Sequence, residues 1–268
     1  HGVIHRFSED IDLVLNWELL GYGRDEQDPW EEQPSKTQLD RFNQEFNQRA
    51  RTHIGNVMFP TVTDLLAVCP AVGARISPND AHLIEIEYPA AFSLSALRPE
   101  VWLEIGPLAS WVPSGTHVIT PYAAEDFPDV FDDPDCPVVA ISAERTFWEK
   151  ATILHQQSNR TSIMPESYSR HYYDMFQLAN TPIKERALAN LGLLDDVVTF
   201  KQRFYRSPWA GYEYARPGTF KLLPTAQGDR ELRQDYDGMA EMIFGPIPEW
   251  DEIISALSDL EAQINAKA

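Results

Sequence analysis

Three short stretches of the chain carry side chains whose types and spacing could do chemistry. In Arg6-Phe7-Ser8-Glu9-Asp10-Ile11-Asp12-Leu13, an extended backbone turns Ser8, Asp10 and Asp12 to one side. Two carboxylates set that closely repel unless a cation neutralises them. Mg²⁺ suits such a pair, being a hard ion usually held by one or two carboxylates together with substrate phosphates. The ordinary alternative is the solvated face of an amphipathic strand, which a lone Asp-x-Asp would favour. Glu9, Ile11 and Leu13 make the opposite face mostly apolar and weaken that alternative.

The second stretch is Glu144-Arg145-Thr146-Phe147-Trp148-Glu149-Lys150. On a helix, Phe147, Ala151 and Leu154 form a packing stripe with Lys150 close beside it. By itself such a lysine reads as a surface residue whose stem lies along the core. The third stretch is Ser169-Arg170-His171-Tyr172-Tyr173-Asp174, where Arg170 and Asp174 stand four apart and can pair along a helix, the common reading being an intrahelical salt bridge.

The elements that must hold these groups follow from periodicity. Residues 10–15 alternate as a strand, 21–35 read as a polar loop, and 36–54 as a helix with Leu39, Phe42, Phe46 and Ala50 on one face. A second short helix is expected over 57–68, from a turn around Pro60. Strands are expected at 81–88, 101–106, 116–122 and 138–141. From Ser142, which reads as a helix cap, the pattern turns helical: 143–157, 167–180, 183–191, 194–206, 229–243 and 250–266. Residues 207–228 read as a loop or a strand pair. The fold class is therefore α+β, a mixed-sheet domain over 1–141 followed by a helical domain over 142–268.

Composition bounds the rest. A formal charge of −19 over 268 residues argues against a general nucleic-acid coat or a membrane-surface binder. The 43% hydrophobic content supports a real core, and two cysteines, Cys69 and Cys136, read as reduced and cytoplasmic. No apolar run approaches the ~18 residues of a spanning helix. Residues 145–206 hold nine lysines and arginines against six acids, so an anionic substrate would settle on this helical half.

Taken in order, Arg-Phe-Ser-Glu-Asp-Ile-Asp-Leu, Glu-Arg-Thr-Phe-Trp-Glu-Lys and Arg-His-Tyr-Tyr-Asp resemble the motifs of the AbiEii/AbiGii-type toxins of the nucleotidyltransferase superfamily. The resemblance is dense at 5–15 and 143–179 and thinner between. It implies a nucleotidyltransferase-like sheet domain completed by the helical domain. It implies that Asp10 and Asp12 bind Mg²⁺, and that Lys150 reaches the nucleotide triphosphate. Asp174 matches the aspartate of the family's Arg-x-x-x-Asp helix and joins Asp10, Asp12 and Lys150 as catalytic, with Arg170 orienting it or contacting phosphate. Ser8, Arg6, Lys150, Arg170 and Arg145 form the implied nucleotide-binding set. A third metal carboxylate from a neighbouring strand is common in the superfamily. Glu104 is the first choice, Glu85 and Glu87 compete, and a solvated strand face is an equal reading for those two.

The resemblance further implies an NTP substrate, an RNA acceptor with the 3′ end of tRNA foremost, blocked translation, and a cognate antitoxin encoded alongside. The family's Gly-Gly-Thr segment, whose amides would cradle the triphosphate, belongs just upstream of Arg6. This chain starts after that point, so the expectation is a fragment of a longer protein, one that by itself could lack activity. Two other readings share the residues: a non-catalytic nucleotide- or antitoxin-binding module, and a phosphotransferase on the same fold. Among weaker signals, Asp132-Asp133-Pro134-Asp135 reads as a solvated turn, His155 as a satisfied histidine, and Tyr172 and Tyr173 as core.

Overall fold

Alternation from Asp10 to Val14 gives a short strand, β1, and its neighbours convert the alternation into a two-faced sheet. The computed structural model describes residues 2–8, 10–22, 35–89, 100–107 and 112–268. By contacts the chain divides into two units, Ser8–Trp111 and His1–Phe7 with Val112–Ala268. The division expected at 141/142 thus differs from the observed one. The ribbon of residues 114–141 and the first seven residues group with the helices.

In the Ser8–Trp111 unit, β1 (Asp10–Val14), β2 (Gly73–Ile76), β3 (Leu83–Glu87) and β4 (Glu100–Gly106) form a sheet in the order β1-β4-β3-β2. The β1–β4 pair is parallel and the others antiparallel, so the sheet is mixed as expected. Cross-strand partners share a face. Asp12 stands opposite Glu104, which stands opposite Leu83; Asp10 stands opposite Trp102, which stands opposite Glu85. The other face carries Ile84 and Ile105, both essentially buried. Glu9, read onto the apolar face, lies outside the described residues, as does most of the polar stretch 21–35.

Helix α1 (Lys36–His53) is capped by Ser35, whose hydroxyl accepts from the Gln38 amide, and it buries Leu39, Phe42, Phe46 and Ala50. Those are the four positions its period predicts. Phe46 is fully buried, its ring 5.0 Å from that of Tyr22 and 6.0 Å from that of Trp17. The turn expected around Pro60 is absent. Over Ile54–Met58 the helix widens to a π turn, with the Phe59 amide bonding the Ile54 carbonyl, and continues as α2 (Phe59–Leu66) with Pro60 in its first turn. A proline has no amide to donate and crowds the turn before it, and the widened turn directly ahead of Pro60 is where the continuous helix accommodates it.

In the other unit, β5 (Ser114–Ile119) and β6 (Cys136–Ile141) make an antiparallel ribbon, with α3 (Tyr122–Asp126) between them in sequence. Helices α4 (Ala143–Ser158), α5 (Ser169–Ala179), α6 (Ile183–Ala189), α7 (Leu191–Phe204), α8 (Ala226–Met239) and α9 (Trp250–Asn265) follow. Their apolar faces close one core in which Phe147, Trp148, Ala151, Leu154, Tyr172 and Tyr173 have no exposed surface. The strand pair entertained for 207–228 is instead two 3₁₀ turns, Pro208–Ala210 and Tyr212–Tyr214, before α8 begins after its cap Thr225. Gly211 joins the turns at φ +65°, and a Cβ there would lie 2.8 Å from the Asn159 side-chain nitrogen, so only glycine fits.

Acidic side chains hold the loops of this unit. Asp235 accepts from the amides of Ser167 and Ser169 at 2.7 and 2.8 Å, fixing the start of α5. Glu231 accepts from the Met164 amide, and Glu261 from those of Leu222 and Leu223. Part of the acidic surplus is thus spent on backbone donors that no helix or strand satisfies. The N-terminal segment is tied down by the backbone: the Phe7 amide donates to Met242 and the Phe244 amide to His5, both at 2.8 Å.

Candidate active site

Alternation along β1 sets Asp10 and Asp12 on the same face as Ser8 would occupy by spacing, and the Ser8 hydroxyl donates to the Asp10 carboxylate at 2.5 Å. Asp12 is exposed and Asp10 half-buried. Glu104, exposed on β4, is the cross-strand partner of Asp12. The two competing carboxylates are committed elsewhere. Glu85, 6% exposed, pairs with Arg75 at 2.5 Å, and Glu87 also pairs with Arg75. A hydrogen bond from Ser77, with Arg75 adding to it against burial, holds the Glu85 carboxyl below its usual pKa. Of the three candidates, Glu104 alone stands directly opposite the β1 pair. Among the described residues no group of three His, Cys, Asp or Glu side chains is gathered to hold a metal ion. What this face offers is an all-oxygen set of two strand carboxylates and a hydroxyl, with a third carboxylate across the ladder. Such donors fit Mg²⁺ when substrate oxygens and water complete the shell.

The second cluster belongs to the helical unit. Helix α4 begins at its cap Ser142, which accepts from the Arg145 amide, and its Phe147-Ala151-Leu154 stripe anchors it in the core. That anchoring leaves Lys150 at the stripe's edge, its side chain 21% exposed. Asp174, on α5, has no exposed surface. Its carboxylate accepts from Arg6 Nε at 2.7 Å and Arg6 Nη2 at 2.8 Å, and from Lys150 Nζ at 2.8 Å. Burial would raise the Asp174 pKa, but the Arg6 hydrogen bond and the Lys150 and Arg6 charges together hold it below the ordinary carboxylate value.

This arrangement corrects three expectations. Asp174 pairs with Arg6 and Lys150 and not with Arg170. Asp174 has no exposed surface in this arrangement, and Lys150 lies against its carboxylate. Arg6, expected at the nucleotide, has its guanidinium on Asp174 and on the Phe7 carbonyl. Arg145 is 2% exposed and donates to the Val112 carbonyl at 2.7 Å and to Glu149 at 3.1 Å. It fastens the start of α4 to the segment before β5, with no surface left for a nucleotide. Arg170 is half-buried and forms no ion pair among the described residues.

Other groups fall as the sequence suggested. His155 is fully buried, its Nε2 at 2.9 Å from the Gly211 carbonyl and its Nδ1 accepting from the Lys221 amide at 3.1 Å. Burial lowers its pKa, and both nitrogens are used, so it is structural. Tyr172 and Tyr173 lie in the core. Asp135 accepts from Thr120 in an exposed turn. One neighbour of the lysine was not singled out: His171 on α5, whose Nδ1 lies 3.4 Å from Lys150 Nζ. Its only sequence signal was its place three before Asp174.

No helix among the described residues is long and apolar enough to cross a membrane. No curated protein and no solved structure matches the chain. A family model does, that of the nucleotidyl transferase AbiEii toxin of type IV toxin–antitoxin systems, over residues 1–256. With ordered motifs, a mixed sheet followed by helices, and a match along nearly its whole length, the chain belongs to the AbiEii nucleotidyltransferase toxin family.

Proposed function

We propose that this protein moves a nucleotide from an NTP to a hydroxyl of an RNA acceptor, with the 3′ end of tRNA as the preferred acceptor and Mg²⁺ as the metal, so that the modified RNA no longer serves translation. The observation that carries the reading is the oxygen-rich face of β1, with Asp10 and Asp12 turned the same way and Glu104 opposite Asp12. Asp10 and Asp12 would hold the metal, and Glu104 is the candidate third carboxylate. Mg²⁺ bound there would supply neutralisation of the triphosphate and a lowered pKa at the attacking hydroxyl.

The chain's own groups then have separate tasks. Lys150 places its ammonium on the phosphates, and Asp174 keeps that ammonium charged and aimed. Ser8 orients the Asp10 carboxylate through its 2.5 Å bond. Arg170, the motif cation without an ion pair among the described residues, is available to an RNA or triphosphate oxygen. In the transfer the acceptor oxygen bonds to the α-phosphorus while the α–β bridging bond breaks. Pyrophosphate leaves with that electron pair, and the hydroxyl proton passes to water. A cognate antitoxin is the expected protein partner.

The test uses NTPs labelled at the α or the γ phosphate, total tRNA and Mg²⁺. Transfer of the α label, abolished by chelation, is the expected result. Transfer of the γ label instead would show a phosphotransferase, and transfer of neither label to any RNA or protein would overturn the reading.

A further inference from the structure

The group with no assigned task is His171. Its Nδ1 lies 3.4 Å from Lys150 Nζ, at the long end for a hydrogen bond. The ring is fixed on its other side, packing edge-on against Tyr168 with centroids 5.0 Å apart. Every charged group facing it is known: Lys150 from α4, Arg170 and Asp174 from α5, and Arg6 from the N-terminal segment. Three are cations. Burial and then those cations drive the His171 pKa down to about 3, with Asp174 opposing them. At neutral pH the imidazole is therefore uncharged, and one ring nitrogen can accept.

An ammonium has three N–H donors and no acceptor. Lys150 gives one to Asp174 at 2.8 Å, and the ring nitrogen beside it can take only a second. The third has no partner among the described residues, on a side chain 21% exposed. Two fixed partners stop the ammonium from rotating, so the remaining donor points one way.

We propose that His171 is a positioning residue for Lys150, accepting one ammonium N–H at Nδ1 so that, with Asp174, it aims the third N–H at a phosphate oxygen of the nucleotide. The proposal deepens the reading above and rests on it for the identity of the ligand. A protonated imidazole could not do this, since both its nitrogens would donate toward a cation. The neutral state is part of the device. A leucine at the same place would fill the space but leave the ammonium free to turn.

Two measurements on the full chain separate this inference from the broader one. The first needs no substrate: lysine-selective ¹⁵N spectra, with the Lys150 ammonium signal identified by its loss in Lys150→Met. The signal should exchange slowly in the wild type, broaden or vanish in His171→Leu, and return in His171→Asn, whose side-chain oxygen can replace Nδ1. The second is transfer kinetics with each NTP. His171→Leu should raise KM for NTP about tenfold with a smaller fall in kcat, and His171→Asn should restore KM to within about threefold, in the range expected for one charge-assisted bond. An unchanged Lys150 exchange rate in His171→Leu would overturn the proposal even if transfer proceeds. A wild type with slow Lys150 exchange that transfers nothing would leave the positioning role standing and remove the enzyme reading.

Discussion

Two aspartates of this chain sit in opposite physical states, and the contrast separates chemistry from architecture. Asp12 is exposed on β1, one of two strand carboxylates facing the same way, with a third opposite on β4. Asp174 has no exposed surface and is bonded to two cations at 2.7–2.8 Å. An exposed strand carboxylate contributes little to packing and stands where solvent and a ligand can reach it. A buried one that loses its partners, or is lost by them, leaves charges stranded in low dielectric. A family motif marks both as important, and the proposed reading gives the substrate-facing task to the exposed one.

The largest effect on stability should come from breaking the buried side. Asp174→Ala strands Arg6 and Lys150 and should cost about 3–5 kcal/mol in urea unfolding. A loss under 1 kcal/mol would mean that the network is exposed in solution. Lys150→Met should be milder to the fold, since Arg6 still holds Asp174, while transfer falls about 100-fold or more. If transfer survives it within threefold, the lysine does not serve the phosphates.

Next in size is pH. His155 and His171 are held neutral with lowered pKa values, so between the ordinary histidine value and the folded one the unfolded chain binds more protons. Stability is then full above about pH 6.5 and falls as the solution is acidified. For His171 the window runs down to about pH 3, with a slope of up to about 1.4 kcal/mol per pH unit for each such histidine. Below about pH 4 the lowered Asp174 pKa adds a further loss in the same direction, because protonation then costs its ion pairs. His171→Asn should flatten the slope between pH 6 and 4, and an unchanged slope would show that His171 is not buried as described. The smallest effect is expected at Arg170→Ala, within about 0.5 kcal/mol of wild type, since Asp174 does not depend on it.

What could be read from the sequence, and what could not, follows from the range of the interactions. The stripe of α1 and that of α4 are local patterns, and Leu39, Phe42, Phe46, Phe147, Ala151 and Leu154 fell where their period put them. On β4 the alternation set Glu104 outside and Ile105 inside, but on β1 Ile11, read onto the apolar face, is 49% exposed. Strand β2 was missed because four residues, Gly73–Ile76, are too few to show a period. Pro60 read as a break because the π turn before it has no sequence signature. The Arg6–Asp174 pair joins residues 168 apart, so a local rule put Arg170 in the place of Arg6. Arg145 looked like a substrate cation for the same reason: nothing local shows that the Val112 carbonyl takes it. The overall −19 looks different too, with Asp235, Glu231 and Glu261 capping backbone and Asp174 closed off in its ion pairs.

The most direct test of the central contrast is the rate of α-labelled nucleotide transfer by Asp12→Asn, measured where the variant is fully folded. The account predicts transfer at background, with an unfolding midpoint equal to that of the wild type. Transfer within tenfold of wild type would contradict it, since the exposed strand carboxylate would then not carry the chemistry.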